Sequence, residues 1–189
     1  MRKKMLAAAL LALAACGGDK EKTGNDAAAP ASQAKAPAPA PEAKLPNSAQ
    51  EYADMASASD LYEVESARLA SEKSRNPEVQ ALARMIIEDH EQSAERLKAA
   101  AAAARPPVTV TPDMDTEQRF DVQALRVANG DQFDKAFIAQ QVKAHRKALR
   151  MALHYSAKGE APPLKQHAAE AVQPMRRHLE QAEKLAQAR

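Results

Sequence analysis

The chain has 189 residues and a nearly balanced charge, with 27 Lys and Arg residues against 25 Asp and Glu residues. It contains three Tyr, three Phe and no Trp, so it lacks both the basic stripe and the aromatic stacking platform of a nucleic-acid-binding protein. Its few Gly residues and its abundance of Ala, Leu, Glu, Lys, Gln and Arg indicate an all-helical protein.

Residues 1–15 predict an export signal. A positive segment at positions 2–4 precedes an apolar run that is too short to span a bilayer. The run ends in Leu13-Ala14-Ala15-Cys16, which resembles the lipobox of bacterial lipoproteins. The resemblance implies cleavage before Cys16 and lipid on its sulfur and amino group, which anchors a protein to a membrane without a spanning helix. The alternative is an ordinary signal peptide followed by an unmodified thiol.

The residue after Cys16 is Gly17 and not Asp. This favours the outer membrane of a two-membrane bacterium, with the protein facing the periplasm. Residues 16–47 are rich in Ala, Pro and Lys and contain no aromatic residue. Such a composition buries too little apolar surface to offset chain entropy, so we expect a disordered tether that acts as a spacer.

Residues 48–189 have the length of one domain and predict a four-helix bundle. Ser48 with Glu51 forms a capping-box pattern, and Asn76-Pro77 is an N-cap followed by proline at the first helical position. The remaining signals predict a short helix near Thr116–Ala128 in the long middle connection, a long helix capped by Asp131, and a last helix after Pro162-Pro163 that Pro174 should kink.

Four polar side chains fall within the apolar stripes of the four long helices. At 1.5 Å per residue they lie at about the same height, near the middle of the bundle. They are Glu65, His90, His145 and His178. Asp134 and Gln141 lie in the same stripe as His145, whereas Glu63 is predicted to point away. His154 and His167 are predicted to lie at the surface.

This group of one carboxylate and three imidazoles has two interpretations. The first is a transition-metal site for Zn, Fe, Cu or Mn, because bundle cores often hold such sites. The second is a buried polar network whose members satisfy one another. The Glu-x-x-His pairs expected in di-iron carboxylate bundles are absent from the sequence.

Several segments resemble the bacterial "domain of unknown function" family four-one-four-two. They are YEVESARLA at 62–70, MIIEDH at 85–90, FDKAFIAQQVKAH at 133–145 and PMRRHLEQA at 174–182. The resemblance implies a ferritin-like bundle in the cell envelope and no established activity. The positions that match the family's motifs are Glu63, Glu65, Asp89, His90, Asp134, His145 and His178. Beside the four candidate ligands, these positions make Glu63, Asp89 and Asp134 candidates for a supporting polar core, and Gln141 joins them because it lies in the same stripe as His145.

The sequence contains no G-x-S-x-G, no phosphate-binding glycine loop and no H-E-x-x-H. It therefore favours a non-catalytic envelope lipoprotein with a structural, interaction or stress-related role. Its expected partners are the membrane, through Cys16, and unidentified envelope proteins. The alternative is a metal-binding protein that uses the Glu and His group; no other cofactor is indicated.

Overall fold

The computed structural model of the chain describes residues 44–188. Within that range it consists of five helices, which confirms the predicted all-α bundle with a short extra helix. The predictions for the export signal, for Cys16 and for most of the tether concern residues outside the described range. None of the described helices is long and apolar enough to cross a membrane. The helices are α1 (Ala49–Lys73), α2 (Pro77–Ala103), α3 (Thr116–Val127), α4 (Gly130–Lys158) and α5 (Pro162–Gln187).

The helix starts follow the capping signals in the sequence. The Ser48 side chain accepts from the Glu51 amide while the Glu51 carboxylate accepts from the Ser48 amide, so the predicted capping box is present. The Asn76 side chain likewise caps α2. The cap predicted at Asp131 is wrong, because α4 starts one residue earlier, at Gly130. Gly130 has a φ of 55°, which a glycine adopts without strain and which turns the chain into the helix.

The long helices form two antiparallel hairpins, α1–α2 and α4–α5. The start of α1 lies beside the turn between α4 and α5, because the Ala49 amide donates to Glu160 at 2.8 Å. The rings of Tyr52 and Tyr155 stack at the same end of the bundle. Helix α1 is therefore antiparallel to both α2 and α4. The segment between α2 and α4 must then run the length of the bundle, and its helix α3 packs against α1 and α4. This is a bundle with one long crossover connection.

Two apolar cores fill the two ends of the bundle. One surrounds Leu82, Phe133 and Phe137, and the other surrounds Tyr52 and Leu97. Between them, at mid-height, lies a layer of buried polar side chains that we call the polar waist. Its members are Asp60, Glu63, His90, His145 and His178.

Helix α1 has apolar residues on two faces, which explains an error in the predicted inner face. Leu61 and Leu69 are only half-buried in the bundle and pack with Tyr62, Met114 and Val122 beneath the crossover. The inner face of α1 is instead built from small and polar residues. It consists of Tyr52, Ala53, Ala56, Ser57, Asp60, Glu63, Ser66, Ala67 and Ala70.

Candidate metal centre

Three histidines from three different helices meet in the polar waist. His90 comes from α2, His145 from α4 and His178 from α5. One ring nitrogen of each lies within 4.8 Å of one ring nitrogen of each of the others. The relative exposure is 3% for His90 and 0% for His145 and His178. The bundle therefore buries three potential metal ligands around one point.

The outer nitrogen of each ring contacts a group that can only accept a hydrogen bond. Each outer nitrogen must therefore carry a hydrogen and donate it. Such outer partners fix the tautomer and orientation of metal-binding histidines. The pairs are His90 Nδ1 with Asp60 Oδ1 at 2.8 Å, His145 Nδ1 with the Gln141 carbonyl at 3.0 Å, and His178 Nε2 with Asp89 Oδ2 at 2.8 Å.

The inner nitrogen of each ring points towards the other two rings. In a neutral imidazole whose outer nitrogen is protonated, the inner nitrogen presents a lone pair. His145 Nε2 and His178 Nδ1 lie 3.0 Å apart, so two lone pairs face each other at hydrogen-bond distance. His90 Nε2 has no hydrogen-bond partner among the described residues. A cation between the rings would satisfy all three nitrogens.

Burial and local charge shift the pKa values of the three rings in different directions. Burial, reinforced by the charges of His90 and His178, holds the pKa of His145 well below its usual range. Burial and the charge of His90 lower the pKa of His178 to about 4. Burial also opposes a charge on His90, but the hydrogen bond and negative charge of Asp60, together with Glu63, outweigh it and raise the pKa of His90.

The glutamate of α1 that faces the rings is Glu63, and the prediction of Glu65 for this place is wrong. Glu65 is partly exposed and pairs with Arg126 at 3.3 Å. Glu63 is fully buried, with its Oε1 3.6 Å from the outer nitrogen of His145, so it supplies charge to the site and no ligand atom. Burial raises its pKa to about 7, although the charge of His90 and the Gln141 side chain oppose this shift.

The other predicted supporting residues lie in different places. Asp89 accepts from His178 and also from Arg177 at 3.0 Å, so it joins the centre to the surface. The Gln141 side chain donates to Ser66 Oγ at 3.1 Å. Asp134 is buried but lies about three helical turns before His145 and outside the histidine group.

Sequence reasoning missed two buried polar residues. Asp60 faces the waist. It lies four residues after Ala56 and three residues before Glu63, and this helical spacing on one face is the signal that could have identified it. His167 was predicted at the surface, but it is only 4% exposed. Its Nδ1 contacts the Tyr52 hydroxyl at 2.8 Å and its Nε2 contacts Ser93. His154, also predicted at the surface, is half-buried.

Comparison with known proteins agrees with this architecture. The profile of the family described as "Domain of unknown function (DUF4142)" matches residues 34–185. No curated protein matches the sequence.

Solved structures of two proteins share the fold. CopM in the Cu(II)-bound form is 23% identical with a TM-score of 0.63, and the match covers 75% of this chain and 97% of CopM. CopM in the apo form is 24% identical with a TM-score of 0.61, over 75% and 97% of the two chains. A DUF305 fragment from Deinococcus radiodurans is 15% identical with a TM-score of 0.65, over 75% and 96% of the chains. CopM has also been solved in Cu(I)-bound and Ag-bound forms.

Proposed function

Because this chain belongs to the DUF4142 family, whose description names no activity, we propose its function from the geometry of the waist. The bundle binds one copper ion through His90, His145 and His178. The observation that carries the proposal is that the inner nitrogens of these three buried rings converge while each outer nitrogen donates to a fixed acceptor.

The spacing of the nitrogens fits a single ion. Metal–nitrogen bonds of about 2.0 Å place the nitrogens of a trigonal or tetrahedral site roughly 3.3–3.5 Å apart. The inner nitrogens of His145 and His178 are 3.0 Å apart, and all three lie within 4.8 Å of one another. Small ring movements therefore suffice to form the site.

The chemistry of the ligands favours copper among the candidate metals. Imidazole suits Cu, Zn, Fe and Ni, whereas Mg, Ca and Mn prefer oxygen ligands. The affinity of a nitrogen site for divalent ions is highest for Cu(II) in the usual series. CopM, which has the same fold, has been solved with Cu(I), Cu(II) and Ag, and this supports the same class of ion here.

The site is suited to holding an ion and not to catalysis. His145 and His178 are fully buried and His90 is nearly so, which leaves no room beside the metal for a substrate larger than a water molecule. We therefore propose metal binding in place of the structural or interaction role that the sequence alone favours.

The test is metal binding by the full-length chain, purified without a histidine tag or chelator. We expect one Cu per chain by competition titration and elemental analysis, and loss of this ion in the double variant His90→Leu/His145→Leu. His154→Leu, a half-buried histidine outside the centre, is the matched control and should keep the ion. Full binding by the double variant, or none by the wild type, overturns the proposal.

We also propose that Cys16 anchors the protein to the outer membrane on the periplasmic side. The lipobox resemblance at 13–16 and the following Gly17 support this. In fractionated cells the wild type should lie in the outer-membrane fraction and Cys16→Ser in the soluble periplasm or unprocessed. Equal membrane retention of both proteins contradicts the anchor.

A further inference from the structure

The buried histidine centre needs a route by which an ion reaches it. One crevice of the described structure has a ring of the centre, His90, in its wall, and it opens between α2 and α5. Its volume is about 10 Å³, which is about the space of one water molecule. Its lining consists of Asp89, His90, Ser93, Arg96, Ala171, Pro174 and Met175; we call it the loading crevice.

Two side chains of the loading crevice can contact a cation. The side chain of Asp89 is 22% exposed, and its Oδ2 accepts from the buried His178. This carboxylate links solvent to the centre. It pairs with Arg177, and Arg96 also lines the crevice, but Asp89 is the one acidic side chain among the described residues of this lining and therefore the group that can attract a positive ion. Met175 is almost fully buried in the wall. Its thioether is a soft ligand that favours Cu(I).

The backbone at the loading crevice lacks one of the hydrogen bonds of helix α5. Pro174 lies inside this helix and has no N–H, so the carbonyl of Glu170 loses its usual helical partner. This missing bond lies in the same wall as Met175. The wall can thus widen locally without unfolding the helix.

We infer that the loading crevice is the site through which Cu(I) reaches the three histidines. Asp89 attracts the ion, the Met175 thioether binds it in passing, and His90 Nε2 accepts it, because the His90 ring lines the crevice and this nitrogen has no hydrogen-bond partner among the described residues. This inference rests on the proposed function and adds to it the path and the transient ligand.

A transient ligand and a resident ligand have different signatures. A group that binds the ion only during its passage lowers the energy barrier to entry and exit. Removing this group therefore slows binding and release by the same factor and leaves the affinity unchanged. Removing a resident ligand weakens the affinity. Release kinetics measured beside equilibrium affinity therefore distinguish the two roles.

The experiment uses the full-length chain loaded with Cu(I) and mixed with excess bicinchoninate, at concentrations where the rate no longer depends on the chelator. Met175→Leu keeps the apolar volume of the side chain and removes the sulfur. We expect release about tenfold slower with unchanged affinity. Pro174→Ala, which restores the helical hydrogen bond, should slow release by about threefold.

Met151→Leu is the matched control, because Met151 is equally buried but lies in a different cavity wall, between α1 and α4. It should release Cu(I) at the wild-type rate. Wild-type rates in both Met175→Leu and Pro174→Ala overturn the inference, as does a loss of affinity in Met175→Leu. A wild type that takes up no Cu(I) refutes the proposed function itself, and this outcome is distinct from unchanged kinetics in a chain that binds the ion.

Discussion

Two groups of buried polar side chains in the same bundle contain histidine, one in the first group and three in the second, and they differ in what the ring nitrogens contact. In the first, near one end, His167 has one nitrogen on the Tyr52 hydroxyl and the other on Ser93. In the second, the polar waist, each ring has one nitrogen on an acceptor and turns the other towards a neighbouring ring. The first group uses all its hydrogen-bonding capacity, and the second brings three ring nitrogens close to one point.

Burial alone does not distinguish the two groups. It lowers the pKa of His167 as it lowers those of His145 and His178. The rings of His167, His145 and His178 are thus neutral at neutral pH, as metal ligands must be. The difference lies in the partners, because a metal ion at His167 would have to break existing hydrogen bonds. Four substitutions test this contrast, from the largest expected effect to the smallest.

Removing one ring of the waist should have the largest effect. We expect His145→Ala to weaken copper binding by more than about 100-fold, because even outer partners of a metal ligand contribute 10–100-fold. His167→Ala should change copper affinity by less than about threefold. Competition titration of both variants measures the difference, and equal losses in the two variants would show that the contrast between the groups is unfounded.

The buried carboxylate of Glu63 should make stability depend on pH. Its pKa rises from 4.5 unfolded to about 7 folded, so its contribution to stability is full below pH 4.5 and is lost as the pH rises to 7. At 1.36 kcal/mol per pKa unit the loss is about 3 kcal/mol. We expect Glu63→Gln to gain about that much stability relative to the wild type between pH 5 and pH 8, by urea unfolding of the metal-free protein.

His145 and His178 act in the opposite direction, since their lowered pKa values add stability above pH 6.5 that is lost on acidification. They are present in both proteins, so their effect cancels in the difference. Glu65→Gln, at the surface two residues away, is the control and should show no such change. A pH response in Glu65→Gln that equals that of Glu63→Gln would contradict the placement of the two carboxylates.

The outer partner of His90 should affect metal binding more moderately. Asp60→Asn removes the negative charge that holds His90 Nδ1 at 2.8 Å. Such changes typically reduce metal affinity by 10–100-fold, and we expect a loss in this range by chelator competition. Asp54→Asn, an exposed acid on the same helix, should leave the affinity unchanged.

The smallest effect should come from the first group. Tyr52→Phe leaves His167 Nδ1 without its partner at 2.8 Å, which should cost about 1–2 kcal/mol of unfolding free energy. Copper affinity should stay at the wild-type value. A Tyr52→Phe variant that loses copper but keeps its stability would reverse the roles we assign to the two groups.

Much of the fold could be predicted from local signals. The capping box at Ser48 and the Asn76-Pro77 start are short-range patterns, and both helices begin where these patterns place them. The inner positions of His90, His145 and His178 also followed from helical periodicity, because these helices have a single apolar stripe.

The periodicity of α1 led to a wrong prediction of its inner face, because this helix packs both against the bundle interior and against the crossover. Leu61 and Leu69 pack beneath the crossover, whereas the face towards the waist carries Asp60 and Glu63. A helical wheel weights the leucines and therefore assigns the wrong glutamate to the interior. Only the path of the crossover, which depends on contacts distant in sequence, decides between Glu63 and Glu65.

The waist separates two apolar cores that would otherwise be continuous, and this separation constrains how the protein can be changed. Leucines in place of Asp60, Glu63 and the three histidines would join the cores and remove buried ionisable groups together with their partners, so the resulting bundle should resist heat better than the natural one. Such a protein would be more stable to heat but would no longer bind the copper ion. Engineering for thermal tolerance should therefore leave this layer alone and work on the helix ends and exposed faces, where added stability does not reduce binding.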